Sequence, residues 1–91
     1  MEARTRIIIT GLVQGVFFRR EMTDQARRLG ISGWVRNLPN GNVEAVAEGE
    51  KGRLDELIRF CHVGPRGAVV RKVEVEWSEN LGEFRGFRIT K

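Results

Sequence analysis

Gly11-Leu12-Val13-Gln14-Gly15-Val16-Phe17-Phe18-Arg19 is the segment whose residue types and spacing could do chemistry. Two glycines four apart follow a strand-like apolar run, Ile7-Ile8-Ile9, and an amphipathic helix pattern begins where the segment ends. Strand, glycine loop and helix start form a physical recipe for holding a phosphate. Glycine lets backbone N–H groups from Leu12 to Val16 converge on one anion, and a helix N-terminus adds unpaired donors and partial positive charge. Arg19 supplies a full charge on a fork of donors that matches phosphate geometry. A Gly-x-x-x-Gly turn is weak on its own, since many loops between strand and helix use glycine only to turn. Arg19 adds weight: a cation in the first helical turn is repelled by the helix dipole, and a bound anion removes the repulsion.

Asn37 is the second candidate, near the end of the strand-like run Gly33-Trp34-Val35-Arg36-Asn37-Leu38 and just before Pro39-Asn40-Gly41. Asparagine there commonly satisfies backbone groups of the turn. Its functional role would be to hold a water through its amide. The usual catalytic parts are otherwise missing. His62, the one histidine, falls at the end of a helix pattern, where it complements the helix dipole. Cys61 lies on the apolar face of that helix and reads as an inert buried thiol. Ser32 and Ser78 have no evident base beside them, and no histidine or carboxylate set has metal-ligand spacing. Electrostatics and positioning remain, and neither a metal nor a cofactor is expected.

The elements that must position these residues follow from periodicity. A strand is expected over Thr5–Thr10, with Ile7 and Ile9 on one face. Phe18, Met22, Ala26 and Leu29 recur at helical spacing and predict a helix over Phe18–Leu29, stopped by Gly30. Strands over Gly33–Leu38 and Asn42–Glu48 flank the Pro39-Asn40-Gly41 turn and make a hairpin. In the second of them Val43, Ala45 and Ala47 alternate with Glu44, Val46 and Glu48. Leu54, Leu57, Ile58 and Cys61 predict a helix over Lys51–His62, stopped by Gly64-Pro65. Val69, Val73, Val75 and Trp77 define one face of a strand over Val69–Trp77, interrupted by Arg71. A short last strand contains Phe87 and Ile89, with no partner evident. The order βαββαβ is an α+β, ferredoxin-like split βαβ sandwich: a four-stranded antiparallel sheet with both helices on one face, plus a short C-terminal strand.

Ninety-one residues make one domain, residues 1–91, with a single core. There is no apolar run of membrane-spanning length and no signal-peptide pattern, so a cytoplasmic location without membrane contact is expected. One cysteine excludes an internal disulfide. The net charge of +4 is uneven: residues 1–36 hold 7 Arg against 3 acids, and residues 37–91 hold 9 basic against 9 acidic residues. The whole excess therefore lies in the segment with the glycine loop, where it would draw anions in.

The segment Gly11–Arg19, followed by Gly33-Trp34-Val35-Arg36-Asn37-Leu38-Pro39-Asn40-Gly41-Asn42-Val43-Glu44, resembles the acylphosphatase family. The resemblance continues more loosely through Glu48-Gly49, Gly64-Pro65, Val73-Glu74-Val75 and Phe87-Arg88-Ile89, so it spans nearly the whole chain. It implies metal-independent hydrolysis of a small acyl phosphate to a carboxylate and inorganic phosphate. Carried over by position, the phosphate-binding arginine falls on Arg19 and the water-orienting asparagine on Asn37. The phosphate cradle falls on Gly11, Leu12, Val13, Gln14, Gly15 and Val16. Leu12 stands where a basic residue is frequent, Phe17 fills a variable position, and Asn40 replaces a frequent aspartate. Arg20 is placed to restore the steering charge that Leu12 lacks. A monomer is expected. Two rivals share the fold: a nucleic-acid-binding module, for which Arg85-Gly86-Phe87-Arg88 is only a fragment of the signature, and a non-catalytic accessory domain.

Overall fold

The structure, a computed structural model, describes residues 1–91. The elements are β1 (Glu2–Leu12), α1 (Phe18–Arg28), β2 (Ser32–Asn37), β3 (Val43–Glu50), α2 (Lys51–Val63), β4 (Val69–Ser78) and β5 (Phe87–Ile89). They form one sheet in the order β4-β1-β3-β2-β5. β1 outruns the expected Thr5–Thr10 at both ends because it is a central strand. It pairs antiparallel with β3 from Glu2↔Glu50 to Ile9↔Val43 and with β4 on its other edge.

Ile7, Ile9, Val35, Val43, Ala45 and Ala47 face the helices, which cover them with Phe18, Met22, Ala26, Leu54, Leu57 and Cys61. α1 ends one residue earlier than its apolar spacing suggests. The N–H of Ile31 reaches the carbonyl of Ala26 at 2.9 Å and that of Gly30 reaches Arg27 at 3.2 Å, a Schellman closure with Gly30 at φ 69°. α2 begins where the Glu50 side chain accepts the N–H of Arg53.

The sheet departs from expectation in three places. It has five strands, not four: β5 joins parallel to β2, with Gly33↔Phe87 and Val35↔Ile89 in register. The N–H of Gly33 donates to Gly86 and that of Thr90 to Val35, each at 2.9 Å, and Phe87 is buried in the core. Second, the alternation in β4 slips by one. Thr10 pairs with Lys72 but Gly11 pairs with Val70, so Arg71 is the extra residue of a bulge. Val70 rather than Val69 therefore packs on the core, and Val69 is exposed. Gly11 sits at this slip, where a Cβ would lie 2.1 Å from the carbonyl oxygen of Val69.

The third departure is on the helix-free face of the sheet. Glu44 and Glu48 alternate outward from the core, yet both are buried, because arginines from neighbouring strands close over them. Arg6 and Arg36 each reach one Glu44 oxygen at 2.7 Å, and Arg4 bridges Glu48 and Glu83. Burial pushes the Glu44 carboxyl upward, but the hydrogen bonds from Arg36 and Arg6 outweigh it and hold the group below its ordinary value. The N–H of Leu81 also donates to Glu48, at 2.7 Å, which ties the β4–β5 connection down over this face.

Candidate active site

Asn37 closes β2 on the same face as Val35, which is buried under the helices. That face, at that end of the strand, meets the loop leaving β1 and the first turn of α1. Val13, Gln14, Gly15, Arg19 and Asn37 accordingly line one cleft of about 240 Å³. The two segments singled out in the sequence thus converge. Gly11 and Leu12 belong to β1, and neither they nor Val16 line the cleft.

Gln14 is what joins the halves. Its Nε2 donates to the carbonyls of Leu38 and Asn42, both at 2.9 Å, so the β1–α1 loop is hydrogen-bonded to the two ends of the β2–β3 turn. The turn itself is closed by the N–H of Leu38 on Asn42 at 2.8 Å and by that of Asn42 on the Asn40 Oδ1 at 3.0 Å. Asn37 is therefore not consumed in capping the turn; Leu38, Asn40 and Asn42 do that. Its Oδ1 is buried and has no hydrogen-bond partner. A buried acceptor left unpaired costs stability and calls for a functional account.

The opposite wall is rich in unpaired donors. No backbone N–H from Val13 to Arg20 donates to an acceptor within the chain. Phe17 is the N-cap of α1, with no side-chain cap bond, so the helix dipole opens onto the cleft. Gly15 has φ 75° and Phe17 has φ 60°. Glycine adopts this left-handed region freely, whereas Phe17 is strained there, as residues at functional sites often are. Half-buried Arg19 has no acidic partner. One wall thus offers positive potential without a protein counter-charge, and the other carries Asn37, whose side-chain amide has no partner within the chain.

Phe17, Phe18, Arg20 and Ile89 also line the cleft. For Phe18 the helical spacing signals a core role, and its burial agrees. Arg20 has its guanidinium 6.0 Å from the centre of the Phe17 ring. Ile89 carried no signal, since its place depends on the partner of β5. Cys61 is buried against Met22, its sulfur 3.9 Å from the thioether, and desolvation lifts its pKa to about 12. The thiol is thus removed from nucleophilic chemistry. His62 is exposed in the last turn of α2. No group of three or more His, Cys, Asp or Glu side chains is placed to hold a metal ion, and no helix is long and apolar enough to cross a membrane.

The acylphosphatase family model matches residues 5–89. An acylphosphatase of Rubrobacter xylanophilus is 57% identical over 94% of this chain and 78% of its own. One from Anaeromyxobacter dehalogenans is 52% identical over 94% and 92%. The crystal structure of acylphosphatase from Bacillus subtilis superposes with a TM-score of 0.94 at 33% identity, covering 100% of both chains.

Proposed function

The chain belongs to the acylphosphatase family and hydrolyses acyl phosphates to a carboxylate and inorganic phosphate, and on that premise we propose how its own residues do so. The substrate's phosphoryl group lies against the loop of residues 13–17, held by its N–H groups and by those opening α1. Arg19 pairs with the phosphoryl oxygens through its fork. Asn37 holds a water through its side-chain amide, in line with the bond to be broken. The water oxygen bonds to phosphorus as the bond from phosphorus to the acyl oxygen breaks. One water proton passes to a phosphoryl oxygen, and the products are a carboxylate and dihydrogen phosphate. The leaving carboxylate needs no acid, so no histidine is required. Charge spread over the equatorial oxygens is met by donors already in place, the largest catalytic contribution in such sites.

The observation that carries this reading is the pairing of opposites across one cleft. Partnerless donors and a partnerless cation line the same cleft as Asn37, whose side-chain amide makes no hydrogen bond within the chain. The chain is further read as a cytoplasmic monomer without a nucleic-acid partner. Its one cysteine is buried, and no helix is long and apolar enough to cross a membrane. Phe87, the aromatic of the Arg85-Gly86-Phe87-Arg88 fragment, is 2% exposed and cannot stack on a base.

The test is release of phosphate from benzoyl phosphate in the presence of a chelator, with inorganic phosphate as inhibitor. Turnover with competitive inhibition supports the cradle. Dependence on added metal, or noncompetitive inhibition, removes it.

A further inference from the structure

The basic excess of residues 1–36 is not used up by the site. Arg4, Arg6 and Arg36 are neutralised by Glu44, Glu48, Glu76 and Glu83 on the helix-free face of the sheet. The remaining arginines of that segment, Arg19, Arg20, Arg27 and Arg28, all lie on α1, and Arg88 stands on β5 beside it. A groove runs between them, lined by Arg20, Thr23, Asp24, Arg27, Arg88 and Ile89. It shares Arg20 and Ile89 with the cleft that holds Arg19 and Asn37, so the groove adjoins the cleft.

None of the three arginines in this groove has an acidic partner within salt-bridge distance, although Asp24 lies among them. Arg27 is fixed by its Nε on the carbonyl of Phe87 at 3.1 Å, which clamps α1 to β5 and keeps the groove's floor in place. Arg20 and Arg88 make no side-chain hydrogen bond to the chain at all. Arg4, Arg6 and Arg36 are paired on the helix-free face of the sheet; Arg20, Arg27 and Arg88, beside the cleft, have no acidic partner. A phosphoryl group in the cradle engages Arg19 and the loop amides, and the acyl part of the substrate must leave the cleft somewhere.

We propose that the groove of Arg20 and Arg88 is an anion subsite for the acyl part of the substrate. The enzyme then favours acyl phosphates that carry a second anionic group over those with a neutral acyl group. This rests on the acyl phosphate reading above and adds a substrate class to it. General steering by positive charge would not select between substrates in this way, because every acyl phosphate is already an anion.

Benzoyl phosphate and its 3- and 4-carboxy derivatives share one ring and one reacting group and differ only in the second charge. kcat/KM is measured for all three on the wild type, Arg88→Gln, Arg88→Lys and Arg88→Glu, at low and at moderate salt. Arg88 stands outside the cleft, so benzoyl phosphate turnover should stay within about twofold in Arg88→Gln. The better carboxylated substrate should lose about three- to tenfold in the same variant, as for an arginine–carboxylate pair open to solvent. Arg88→Lys should recover part of the loss, Arg88→Glu should deepen it, and salt should narrow the difference. Equal losses on all three substrates would reduce the groove to a steering field, and no loss on any would remove the subsite. Neither result touches the acyl phosphate reading, which fails only if benzoyl phosphate is not hydrolysed by the wild type.

Discussion

Gln14 and Leu38, 24 residues apart in sequence, are joined by an Nε2–H···O=C bond of 2.9 Å, and the same nitrogen reaches Asn42 at the same distance. One side chain thus fixes the separation between the loop assigned to the phosphate and the strand end that carries Asn37. Gln14→Ala should lower kcat by about tenfold, since small misplacements of reacting groups are costly. It should also destabilise by about 1–2 kcal/mol through the two lost hydrogen bonds. Gln14→Glu should be worse than alanine on both counts, because a carboxylate would face two carbonyl oxygens. Turnover numbers and urea unfolding of the two variants check this, and wild-type behaviour of Gln14→Glu would dismiss the clasp.

Arg19→Ala should abolish most turnover, by about 10²–10³-fold, and weaken inhibition by phosphate. Arg19→Lys should recover little of it, because an ammonium lacks the planar fork. Steady-state kinetics of the pair decide whether geometry or charge matters. A lysine variant near wild type would leave charge alone as sufficient.

Asn37→Ala separates water positioning from phosphate binding. kcat should fall by roughly 10²-fold while phosphate inhibition stays close to that of the wild type. Removing a buried acceptor that has no partner should not lower stability, so the melting temperature should hold or rise. A destabilised variant with retained turnover would make Asn37 a structural residue after all.

Glu44 links stability to pH. Its pKa is lower in the folded chain than the ordinary value of 4.5, so its contribution is present above that value and is lost as pH falls through the lowered one. At pH 7, Glu44→Gln should cost about 1–3 kcal/mol. That is less than for a fully buried pair, since Arg6 and Arg36 are partly open to water. The gap between wild type and variant should close in acid, which thermal melts between pH 7 and pH 2 would show. A gap independent of pH would mean that packing, not charge, holds Glu44 in place.

The places of Arg19 and Asn37 in the fold were legible in the sequence because each belongs to a local pattern, a glycine loop entering a helix and a strand entering a proline–glycine turn; the roles proposed for them come from the family resemblance, and their meeting at one cleft was not legible. The two helices and the hairpin were legible for the same reason, since their apolar periods are complete within one element. What was not legible depends on a neighbour. β5 has three residues, too few for a period, and its place beside β2 is set by Phe87 entering the core. Ile89 at the cleft follows from that placement. The slip at Arg71 follows from the close approach of Gly11 to Val69, a contact between strands almost sixty residues apart. The alternation of β3 placed Glu44 and Glu48 off the core face correctly, but not under the arginines that bury them, which come from β1 and β2.

β3 lies between β1 and β2 in the sheet, so the two strands that carry the halves of the site are never neighbours. During folding, a loop must close and a third strand must be laid between them before Arg19 and Asn37 face one cleft. The β1–β3 pairing that lays this strand joins residues 34 to 48 apart, and contacts that remote along the chain form late and slowly. Recovery of activity on refolding is therefore a clock for completion of the sheet. Helical signal should return ahead of turnover, and no partly folded species should carry a fraction of the rate.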